Sequence, residues 1–88
     1  MTTEEQWIHI FAFRYAIGKR SSAPDIVCEC ILKNLKEYTL FNLELFAKEI
    51  DDYICDPYGD VTCWKELKTK ITVELVTRYN QLNKENQK

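Results

Sequence analysis

Apolar residues recur at three- and four-residue spacing through four separate segments of this chain, and helix-stopping residues follow the first and the third. In the first segment the recurring positions are Trp7, Ile8, Phe11 and Tyr15, with Ile10 and Ala16 on the adjoining face. That period is the signature of an amphipathic helix, predicted here from about residue 4 to 17. Thr3-Glu4-Glu5-Gln6 fits a capping box at its start. Gly18 suits the left-handed position that commonly ends a helix. Lys19-Arg20-Ser21 then makes a basic corner.

Ser22 is the predicted N-cap of the second helix, with Ala23 and Pro24 in its first turn and Asp25 complementing the positive end of the helix dipole. Val27, Cys28, Ile31, Leu32 and Leu35 form its inward stripe, which ends near Lys36. A third helix begins at Thr39 and buries Leu43, Phe46, Ala47, Ile50 and Ile54, with Glu44 and Lys48 as an outer i,i+4 pair. Cys55-Asp56-Pro57-Tyr58-Gly59-Asp60 cannot continue it, because the residue before a proline avoids the helical region and a glycine follows. The fourth helix starts between Asp60 and Thr62 and carries Trp64, Leu67, Ile71, Leu75, Tyr79 and Leu82 as one seam. Its β-branched Thr69, Thr72, Val73, Val76 and Thr77 favour a strand, but helical spacing sustained over nearly 20 residues outweighs them.

These segments predict an all-α fold, a small bundle of about four helices in a single domain spanning residues 1–82, with 83–88 as a polar tail expected to fray. Isolated helices this short are marginal in water, so the stripes must bury one another. The 88 residues leave room for one domain only, and the 45% hydrophobic content suffices for one core. No stretch reaches the roughly 18–20 apolar residues of a membrane span. The acidic Met1-Thr2-Thr3-Glu4-Glu5 start is unlike a secretory signal, which opens with a basic region. A cytoplasmic protein without membrane contact is the expectation.

A reducing cytoplasm leaves Cys28, Cys30, Cys55 and Cys63 as thiols, and small buried hydrophobes are their first reading. Cys55 and Cys63 bracket a loop and are close enough in sequence to pair. Zinc is disfavoured, since Cys28 and Cys30 point about 200° apart on a helix and the one histidine, His9, is distant in sequence. No metal, cofactor or catalytic set is expected. His9 lacks a neighbouring nucleophile, and Gly18 and Gly59 make no phosphate loop.

The net charge of −2 speaks against a general nucleic-acid binder. Glu49, Asp51, Asp52, Asp56 and Asp60 lack the register of a calcium loop. They read as a solvated face or as a phosphate-like docking surface for a basic groove. Asp51, Asp52, Asp56, Tyr58 and Asp60 are the candidate partner contact, with Lys19 and Arg20 as a second one. Arg14 reads as ion-paired to a carboxylate within the bundle. Tyr38 and Tyr58, in connections, either pack over the bundle end or anchor an interface.

The run Phe11-Ala12-Phe13-Arg14-Tyr15-Ala16-Ile17-Gly18-Lys19-Arg20, with Trp7 ahead of it, Glu49-Ile50-Asp51 in the third helix and Trp64 after an acidic loop, resembles a group of small proteins carried by bacteriophages and prophages. The resemblance spans roughly Trp7 to Leu67 and does not extend past Leu75. It implies accessory phage biology in a bacterial host cell. In that setting small proteins block host defences by stoichiometric binding, as anti-CRISPR proteins do. The function this implies is inhibition of a bacterial defence nuclease or its complex by protein–protein binding. The alternative is a small nucleic-acid-binding or regulatory protein using Arg14, Lys19 and Arg20. A homo-oligomer paired through the fourth helix also stays open.

Overall fold

The structure, a computed structural model, describes residues 1–18, 24–57 and 61–86. Among them are four α-helices and no strand: α1 (Thr3–Gly18), α2 (Pro24–Lys33), α3 (Leu40–Cys55) and α4 (Thr62–Asn86), with a 3-10 turn at Leu35–Glu37. The all-α prediction holds. None of these helices is long and apolar enough to cross a membrane.

The helix ends differ in detail from the sequence reading. Thr2 rather than Thr3 caps α1, its hydroxyl accepting from the Glu5 backbone N–H at 3.1 Å. That releases the Gln6 side chain for another use. Gly18 is the last helical residue of α1 and has no positive φ, so its lack of a side chain is not what ends the helix. α2 stops at Lys33, and the chain tightens into the 3-10 turn where a continuous helix was expected. Thr39 caps α3 as predicted, its hydroxyl accepting from the Asn42 N–H at 3.2 Å. The threonines of α4 fit the helix by donating to the carbonyl four residues back: Thr69 to Lys65, Thr72 to Lys68 and Thr77 to Val73. The predicted Ser22 cap lies outside the described residues.

α1 and α4 each pack against both α2 and α3. α1 and α3 run parallel, as successive contacts show: Gln6 meets Asn42, Phe13 meets Phe46 and Arg14 meets Glu49. α4 runs antiparallel to α3, with Lys68 on Asp51 and Tyr79 on Glu44. Glu44 thus serves Tyr79 across the helix pair instead of Lys48. With 25 residues, α4 is about 37 Å long, and it accounts for the elongated 48 × 28 × 17 Å outline.

Edge-to-face aromatic contacts thread the core. Tyr38 meets Phe46 with centroids 5.1 Å apart, Phe46 meets Phe13 at 4.9 Å, Phe13 meets Trp64 at 5.6 Å and Trp64 meets Tyr53 at 6.4 Å. Each such pair is worth about 0.5–1.5 kcal/mol beyond the area it buries. Ile10, Ile31, Leu43, Ile50, Leu67 and Ile71 close around them. Tyr38, half expected at the surface, is instead 1% exposed.

Candidate docking surfaces

The inner face of α1 is not the stripe its spacing first suggests. Gln6, Ile10, Phe13, Ala16 and Ile17 are the buried residues. Trp7, Ile8, Phe11 and Tyr15, expected inside, are 48%, 64%, 62% and 67% exposed. Both sets keep helical period and lie on opposite sides of one rod. The inner set wins because its larger members meet Phe46 and Trp64, while Gln6 supplies a polar joint. Its Oε1 accepts from the Thr39 N–H at 3.2 Å and from Asn42 Nδ2 at 2.6 Å, so α1 holds the start of α3.

The outer set forms a continuous apolar strip. Trp7 and Phe11, four residues apart, stack with centroids 5.9 Å apart and planes tilted by 32°. Beside the strip, a cleft of about 200 Å³ opens between α1 and α2, lined by His9, Ala12, Ile26, Val27, Cys30 and Ile31. Ile26 there is largely exposed. At the cleft's base the phenol of Tyr38 lies 2.6 Å from His9 Nδ1. Burial, then Cys30 and Glu37, raises the Tyr38 pKa, so the hydroxyl keeps its proton beside the His9 ring. That contact was not legible in sequence, because the partners stand 29 residues apart.

At the far end of α3, Asp51, Asp52 and Asp56 are exposed. Asp51 Oδ1 accepts from Lys68 Nζ at 2.7 Å. Asp52 and Asp56 make no ion pair among the described residues. No basic residue occupies the last turn of α3. Acidic groups there face the negative end of the helix dipole, an unfavourable placement worth about 0.3–1 kcal/mol each. Tyr58, Asp60, Lys19 and Arg20, the other candidate contacts, lie outside the described residues. Arg14 pairs with Glu49 across α1 and α3 at 3.3 Å, in the open and not in the interior.

Two further features went unread in the sequence. Arg78 donates to the carbonyls of Tyr38, Lys36 and Leu35 at 2.7, 3.0 and 3.4 Å, satisfying the end of the 3-10 turn, while Glu74 orients it at 3.0 Å. The pair's i,i+4 spacing was the one available signal. Cys63 lies against Cys28, and none of the four cysteines is in a disulfide, so the Cys55–Cys63 pairing the sequence allowed is not formed. Burial and then the neighbouring sulfur push the Cys28 thiol pKa well above its ordinary range. Among the described residues no cluster of three or more metal-ligating side chains forms. The chain matches no protein-family model, and no curated protein or solved structure matches it.

Proposed function

We propose that this protein is a stoichiometric binding factor of the phage accessory type, which inhibits a bacterial defence component, with a CRISPR effector nuclease as its target. Asp51, Asp52 and Asp56 at the end of α3, followed in sequence by Tyr58 and Asp60, present carboxylates to a basic groove that otherwise receives nucleic acid. The observation that carries this reading is the placement of Asp52 and Asp56 where the helix dipole disfavours them and where, among the described residues, no cation pairs with them. Residues kept against local stability are a mark of recognition surfaces. Complementary fields of this kind raise association rates and lower them again with salt.

The test is the triple charge reversal Asp52→Lys, Asp56→Lys and Asp60→Lys, assayed against a purified effector nuclease across a salt series. Inhibition should fall at least tenfold and lose most of its salt dependence. The two α3 substitutions place cations near the helix C-terminus, where they favour the helix, so lost binding with a retained or raised melting temperature separates recognition from unfolding. Unchanged inhibition with unchanged salt dependence removes the acidic surface from the mechanism.

A further inference from the structure

We infer that the outward face of α1 is a two-fold symmetric dimer interface, on which a second copy of this chain packs antiparallel. The stripe Glu4, Ile8, Phe11, Tyr15 has spacings of four, three and four, which read the same in either direction about a midpoint between Ile8 and Phe11. A two-fold axis through that midpoint pairs each position of the stripe with a stripe position of the other copy, the reciprocity of an isologous interface. Pairing about that axis sets Ile8 beside Phe11 of the other copy and Glu4 opposite the Tyr15 hydroxyl. Ile8 of each copy then reaches toward the cleft over Ala12 of the other, a hole next to a knob in the manner of paired helices.

Charge and area agree with this arrangement. Glu4 and Glu5 occupy the first turn of α1, and Arg14 lies in its second half. Antiparallel packing brings Arg14 of one copy, which also pairs with Glu49 of its own α3, to the level of Glu4 and Trp7 of the other, on the same flank. A carboxylate and an aromatic ring are both favourable neighbours for a guanidinium. The two helix dipoles also oppose each other. At exposures of 48–67%, the four apolar side chains offer on the order of 500 Å² of surface. A stable interface takes about 800 Å² per partner, and about 65% of a homodimer interface is apolar. The strip by itself comes close to the apolar share of such an interface. This inference is independent of the target reading and does not use the acidic end of α3.

Sedimentation velocity over a concentration series tests it, with helical dichroism recorded for every variant. The wild-type chain should dimerise. Phe11→Asp, an exposed position, should raise the dimer dissociation constant at least tenfold with helix content unchanged. Val76→Asp, on the exposed side of α4, should leave it unaltered. For the register, Glu4→Lys and Tyr15→Glu should each weaken self-association, and a mixture of the two should recover it as a heterodimer. A wild-type chain that stays monomeric throughout the series overturns the proposal, as does dimerisation abolished by Val76→Asp and not by Phe11→Asp. Failure of the mixture to recover overturns the antiparallel register.

Discussion

α1 and α3 are both 16-residue helices, lie side by side and run in the same direction, yet they treat solvent differently. α3 buries Leu43, Phe46 and Ile50 and turns Glu44, Lys48, Asp51 and Asp52 outward. α1 buries Ile10, Phe13 and Ile17 and turns Trp7, Ile8, Phe11 and Tyr15 outward. A helix with one buried face carries one main apolar stripe, as α3 does apart from Phe41, which is 71% exposed. A helix with two stripes has more apolar surface than a single core contact can cover. The difference teaches that α1 carries an exposed apolar face besides its core face, and that only the inner one packs within the single chain.

The largest effect that tests this contrast comes from two phenylalanines two residues apart. Phe13→Ala removes a wholly buried ring at the centre of the aromatic contacts and should cost about 3–5 kcal/mol in urea unfolding. Phe11→Ala should change single-chain stability, measured at dilution, by about 0.5 kcal/mol or less. Equal losses would mean that both faces are buried in the folded monomer.

An intermediate effect probes the joint where Tyr38, leading into α3, meets His9 of α1. Burial holds the Tyr38 phenol and the Cys28 thiol above their ordinary values of 10.0 and 9.0. The unfolded chain therefore releases these protons first as pH rises, while the folded chain retains them. Stability should be independent of both groups at neutral pH, begin to fall above about pH 9 and fall more steeply above pH 10. Each group adds a slope of at most about 1.4 kcal/mol per pH unit. In Tyr38→Phe the steeper segment above pH 10 should flatten in denaturant titrations, while the thiol-linked fall from pH 9 remains.

The smallest effect is expected at the end of α1. Gly18 is helical, and a Cβ built there meets nothing within 4 Å. Gly18→Ala should stabilise the chain by about 0.5–1 kcal/mol, through lower backbone entropy in the unfolded state. Destabilisation would show that the glycine is needed for a conformation alanine cannot adopt.

The core of α3 was largely legible: Leu43, Phe46 and Ile50 are buried as read and Ala47 and Ile54 partly so, although Phe41 of the same helix is 71% exposed. The first part of the α4 seam was equally plain: Trp64, Leu67 and Ile71 are buried as read. Farther along, Tyr79 and Leu82 keep the same period but are exposed. Periodicity says which residues share a face and not whether anything covers it. The candidate site was less legible. Asp52 and Asp56 are exposed as a charge run suggests, whereas the aromatic strip was mistaken for core. Large rings are ordinarily buried, and nothing in the spacing separates one apolar face of α1 from the other.

By itself the sequence determined four helical segments and most of their ends, because caps, proline and side-chain period act within a few residues along the chain. Only the tertiary structure decided which face of α1 turns inward, why Gln6 is buried, that Tyr38 belongs to the core and that Arg78 closes a turn 40 residues before it. Those outcomes depend on pairings between residues far apart in the chain. Each is settled by which surface fits its neighbour and satisfies its polar groups, and local pattern carries no information about that.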